Sequence, residues 1–113
     1  FTIKMKVLFH EDVAEPIFAF TLKNLMGIEL TGTNTMLEKE MLEPAKAGSV
    51  RTVSFSQKMT LQGGEYLLSF GCTGYEKEEF KVHHRLYDVC SLGVVSEKNT
   101  VGYFDLESVV EIE

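Results

Sequence analysis

The stretch "FTIKMKVLF", Phe1 to Phe9, alternates without a break. Phe1, Ile3, Met5, Val7 and Phe9 fall on one side, and Thr2, Lys4 and Lys6 fall on the other. A period of two marks a strand with one face in a core and the other in water. The same period returns further along. "IFAFTLK" puts Phe18, Phe20 and Leu22 together; "SVRTVSFSQKMTL" aligns Val53, Phe55, Met59 and Leu61, with Gln57 the exception. "EYLLSFGC" points Tyr66, Leu68, Phe70 and Cys72 inward. These faces predict one shared core that includes Phe70.

Turn signals separate the runs. Pro16 lacks an amide hydrogen, so it belongs at a strand start or an edge. "NLMG" reads as the turn of a hairpin whose return strand is "IELTGT", because Asn24 and Gly27 both tolerate turn geometry. Gly63-Gly64 reads as a second hairpin turn. "TNTMLEKEMLEPAKAG" is the least strand-like part. Thr35 with Glu38 fits a capping box and one helical turn before Pro44, while a plain crossing loop between sheets fits equally well. "TGYEKEEFKVHHRLYD" reads as a charged and aromatic connection, and "VCSLGVV" and "VGYFDLESVVEI" as two closing strands around the loop "SEKNT". The total is about seven to eight short strands, the pattern of an all-β antiparallel sandwich. No long segment carries the helical period.

With 113 residues the chain makes one domain. A domain of this size buries roughly two-thirds of its unfolded surface and holds a core without metal or disulfide. Cys72 and Cys90 sit in apolar runs and read as buried, reduced thiols, which suits a cytoplasmic domain. The chain opens on Phe1 in mid-pattern, which reads as a piece of a longer protein. A net charge of −6 speaks against nucleic acid or an anionic lipid surface as partner. No P-loop or dinucleotide glycine pattern is present. His83 and His84 are neighbours and on a strand would point to opposite faces, so no metal site is expected. No nucleophile sits beside a base in a recognisable motif, so no catalytic residues and no cofactor are expected.

What remains is recognition of a neutral, polyhydroxylated ligand, which wants planar aromatics among short polar groups. Two stretches offer that mixture. One is "GTNT", Gly32 to Thr35; the other runs from Tyr75 to Asp88. Asn34 has two readings, as a bond to its own turn and as a ligand contact. Arg85 and Asp88 also have two, as an ion pair and as ligand contacts.

The segments "EPIFAFTLKNLMGIELTGTNT", "LQGGEYLLSFG" and "HHRLYDV" resemble the Wzt C-terminal domain family, and the resemblance covers nearly the whole chain. "GTNT" is its most specific part, with the Gly63–Tyr66 turn and Tyr87-Asp88 in the expected order. The resemblance implies an immunoglobulin-like, jelly-roll-like β-sandwich. It implies a C-terminal glycan-binding domain, spanning residues 1–113 here, of a polysaccharide-exporting ABC transporter ATPase. The implied ligand is a lipid-linked polysaccharide of O-antigen or teichoic-acid type. It would be met in the cytoplasm, at the inner face of the bacterial cell membrane, and the domain itself would not be an enzyme. A homodimer through the C-terminal strand is implied as well, as is a membrane permease reached through an ATPase domain outside this piece. The family often has two arginines between aspartates where this chain has "HHRLYD", so contacts in that stretch are not carried over from it. The chemistry of the chain nominates Asn34, Tyr75, His84, Arg85 and Tyr87 as the glycan-binding residues, on the solvent face of one sheet bordered by a loop after Cys72. The alternative is a dimerisation module of the ATPase subunit without specific glycan binding.

Overall fold

The computed structural model describes residues 1–40 and 43–113. Among them are six strands and no helix. They are β1 (Thr2–Leu8), β2 (Glu15–Asn24), β3 (Glu29–Asn34), β4 (Val50–Ser56), β5 (Gly64–Glu76) and β6 (Glu79–Val94). β1 pairs with β4 in a two-stranded sheet, and the order β3-β2-β5-β6 makes a four-stranded one. Every pairing is antiparallel. The two sheets enclose one core, as the alternation predicts.

Inward residues of both sheets meet in that core. Phe9, just after β1, packs edge-on to Phe18 of β2 with ring centroids 6.0 Å apart. Phe55 of β4 meets Phe20 of β2 at 5.0 Å. Each such pair adds about 0.5–1.5 kcal/mol beyond the area it buries. Phe18 and Leu22 are the largest side chains fully out of water. Cutting Phe18 back to alanine removes about 3–5 kcal/mol by the usual cost of an aromatic cavity.

β2 and β3 form the expected hairpin. The Asn24 carboxamide oxygen accepts from the amides of Met26 and Ile28, and Gly27 takes φ +83°. Pro16 is the second residue of β2, beyond the reach of β3, which begins to pair only at Ala19. The Gly63-Gly64 pair is not a hairpin turn. β4 and β5 lie in different sheets, so this segment crosses between them. The stretch after β3 crosses too, and the crossing loop is the alternative that the structure adopts. Thr35 to Lys39 are turns, and the capping box is displaced by one residue. Asn34, not Thr35, accepts the Leu37 amide at 2.7 Å. Glu38 instead accepts from the Thr33 hydroxyl at 2.9 Å. The last part of the helical-turn reading, Met41 and Leu42, lies outside the described residues.

Three expectations fail towards the C-terminus. No connecting loop follows Cys72: β5 runs on to Glu76 and returns at once as β6. "VCSLGVV" is the end of β6 rather than a separate strand. "VGYFDLESVVEI" makes one bridge, Phe104 to Leu61, and no strand. The common cause is coverage. The smaller sheet has two strands and leaves the inward side of β6 open, so Leu86 is 43% exposed and Phe70 only half-buried. Cys90 is exposed for the same reason; Cys72 is buried, and both thiols are free.

Candidate functional site

Directly opposed residues of antiparallel strands share a face. The register therefore sorts the outer face of the four-stranded sheet row by row. One row runs Asn34, Ala19, Gly71, Arg85 across all four strands. The next begins Gly32, Thr21, Ser69 and ends at the Tyr87-Asp88 bulge. On the other side Ile17, Thr73 and Val82 follow. The floor of this face is made of small side chains, and larger polar ones stand on the two edge strands. Asn34 and Arg85 face each other across Ala19 and Gly71, about 14 Å apart at three strand spacings.

The far wall is built by a bulge. Leu68 opposes Cys90 and Phe70 opposes Leu86, so three residues of β6 face Ser69 alone. Asp88 takes φ +51°, donates its amide to the Ser69 hydroxyl at 2.9 Å, and holds Lys23 at 3.3 Å. A bulge of this kind re-aims a side chain. Here it turns the Tyr87 ring over the sheet, where the Lys23 ammonium lies 5.5 Å from the ring centre. The ion pair is thus Lys23–Asp88, not Arg85–Asp88. Arg85 makes no ion pair or side-chain hydrogen bond among the described residues.

The structure brings three of the five candidates to this face: Asn34, Arg85 and Tyr87. The Asn34 oxygen is already committed to the turn after β3, which leaves its amide hydrogens for a ligand. Tyr75 also lies on the outer side, but near the far end of β5, where it stacks edge-on against Phe80 at 5.6 Å. His84 is not on this face. It opposes Cys72, so it points inward, into the cleft between β1 and β6. His83 and His84 do not diverge as neighbours on a regular strand would. The ladder slips between Cys72 and Thr73, and both rings border the cleft next to His10. No group of three His, Cys, Asp or Glu side chains able to hold a metal forms among the described residues.

Reading the sequence missed Lys23, Thr21 and Ser69. Nothing in "FTLKN" or "LLSFG" marks them, because a face is assembled across strands and not along one. At the tip of the β5–β6 hairpin, a hydrogen bond and the charge of Lys81 hold the Glu76 carboxyl below its usual range. Burial pushes the Cys72 thiol up.

The comparisons with known proteins agree with this architecture. A family model for the Wzt C-terminal domain matches residues 1–106. A structure described as "Crystal structure of the C-terminal domain of wzt" superimposes with a TM-score of 0.89 at 32% sequence identity, over 99% of this chain and 69% of that one. No curated protein sequence matches the chain.

Proposed function

Since the chain belongs to the Wzt C-terminal domain family, we propose that it binds a lipid-linked cell-surface polysaccharide and couples it to export by an ABC transporter. In this reading it is the non-catalytic C-terminal domain of a longer transporter ATPase. It works in the cytoplasm, at the inner face of the bacterial membrane, and the ATPase domain links it to the permease. O-antigen and teichoic-acid chains are the substrate classes.

The observation that carries this reading is the outer face of the four-stranded sheet. A floor of Ala19, Gly71, Thr21 and Ser69 admits a flat sugar chain. Tyr87 offers an aromatic plane, while Arg85 and the Asn34 amide offer donors for hydroxyls. Each hydrogen bond competes with water and nets about 0.5–1.5 kcal/mol. Affinity then comes from length and from repeated contact, which suits a polymer. The test is titration of the protein with polysaccharide from the cells that make it. Arg85→Ala and Tyr87→Ala should each weaken binding by about 1 kcal/mol or more, with the fold intact. Parent-like binding by both variants would refute this location.

The dimerisation reading has its own observation. Leu106, Val109, Val110 and Ile112 are 77% to 93% exposed, and among the described residues β1 pairs only with β4, which leaves its other edge open. An exposed apolar segment in a chain that also has an open strand edge favours pairing with a second copy. A dimer that ignores every glycan would make the domain a dimerisation module alone.

A further inference from the structure

We propose that the cleft between β3 and β4 is a second carbohydrate subsite, which takes a single neutral pyranose. This rests on the reading of the domain as a glycan binder. The cleft lies on the opposite side of β3 from the sheet face described above. Along β3 the side chains alternate: Gly32 and Asn34 belong to the outer face, while Thr31 opposes Leu22 and Thr33 opposes Phe20 on the inner one. An inward position next to Leu22 and Phe20 ordinarily holds an apolar side chain. Here it holds threonines because β4 does not cover them. Phe55 packs onto Phe20 of β2, and β3 projects past that contact. Thr31 is accordingly exposed despite facing inward.

The result is a cleft of about 410 Å³. That is at the small end for a ligand pocket and suits one sugar ring rather than a chain. Its apolar wall is aromatic, formed by Phe1, Phe55 and Phe104, with Phe1 38% exposed. Its polar wall carries Thr31, Thr33, Thr60, Glu38 and Lys58. The side chains of Thr31, Thr60 and Lys58 make no hydrogen bond or ion pair among the described residues. Glu38 uses one carboxylate oxygen on Thr33, at 2.9 Å, and keeps the other. Glu38 and Lys58 are not paired with each other, so their side chains offer the cleft one acceptor and one donor of full charge. A neutral polyol with an apolar ring face matches that set: hydroxyls bridge the carboxylate and the ammonium, and ring hydrogens lie on the aromatic wall.

Methyl-resolved magnetic resonance tests this with methyl α-glucopyranoside, methyl α-mannopyranoside and methyl β-galactopyranoside as probes. At least one glycoside should move the methyl signals of Thr31, Thr33 and Thr60 in a saturable way, with a Kd on the order of 1–10 mM. Thr31→Val and Thr60→Val keep strand propensity and shape, and each should weaken that binding roughly 2- to 10-fold. Arg85→Ala should leave it unchanged. Three threonine methyls that stay still with every glycoside up to about 50 mM would overturn the subsite. So would movement confined to the Ala19 and Thr21 methyls of the outer sheet face, an outcome that leaves the sheet-face reading standing. Polysaccharide titration of Arg85→Ala tests the sheet face separately, so either site can fail alone.

Discussion

Gly32 lies where two requirements meet. A Cβ there would come within 2.6 Å of the Phe20 carbonyl oxygen and 3.2 Å of the Thr21 Cα, both backbone atoms that cannot rotate away. Gly32→Ala should therefore push β3 off β2 and cost about 1–3 kcal/mol, readable as a lower midpoint in urea. This is also why "GTNT" reads oddly as a sequence. Gly32 permits the close approach, Asn34 closes the turn, and Thr35 is buried with its hydroxyl accepting the Phe18 amide at 3.2 Å. Thr33 alone of the four turns toward the cleft. The two cysteines differ at the same scale. Cys90 is exposed, whereas Cys72 is buried and its thiol is held protonated by desolvation. Brief treatment of the folded protein with iodoacetamide should label Cys90 and spare Cys72, as peptide mass analysis would show. Equal labelling would mean that the β5–β6 pair opens readily.

The β5–β6 hairpin is the element that the sequence hides. Its turn is Lys77-Glu78, with φ of +50° and +67°, between the paired Glu76 and Glu79. Two left-handed residues in succession make the preferred two-residue hairpin turn, and that turn is normally announced by Asn-Gly. Here neither residue favours the conformation, so nothing in "YEKEEF" signals a reversal. Alternation is lost as well, because β6 is wet on both faces and broken by two bulges. Replacing Lys77-Glu78 by Asn-Gly should relieve about 1 kcal/mol of backbone strain and raise the thermal midpoint. A lower midpoint would show that the Glu76–Lys81 contact, at 2.6 Å, depends on the present turn.

At the scale of the molecule, the shape is drawn out. The radius of gyration is 17.0 Å, against about 13 Å for a compact chain of this length. The long hairpin and the C-terminal segment account for the excess. Asp105 is tied to Lys98 at 2.9 Å, and beyond it the segment to Glu113 joins no strand. If that segment completes a neighbour's smaller sheet, a chain ending at Phe104 should be monomeric and still folded. Light scattering and far-ultraviolet dichroism read the two properties. A truncated chain that stays dimeric would move the contact to the open edge of β6.

The fold was legible in the sequence wherever a strand has one dry face. Phe1 to Phe9, Phe18 to Leu22 and Tyr66 to Cys72 alternate because one side of each meets the core, and burial writes itself into residue choice every second position. Asn24 and Gly27 showed the first hairpin because they supply its hydrogen bonds and its left-handed residue themselves. The rest took shape only when distant segments met. Which strands share a sheet, that β6 continues β5, and that Asn34 and Arg85 face each other over Ala19 and Gly71 depend on pairing between segments far apart in the chain. A binding face is a row across strands, so its members lie dozens of residues apart and no local pattern links them. His84 and His83 make the same point in reverse: they are adjacent in sequence, and a single bulge, set by what lies opposite, chose which way each one points.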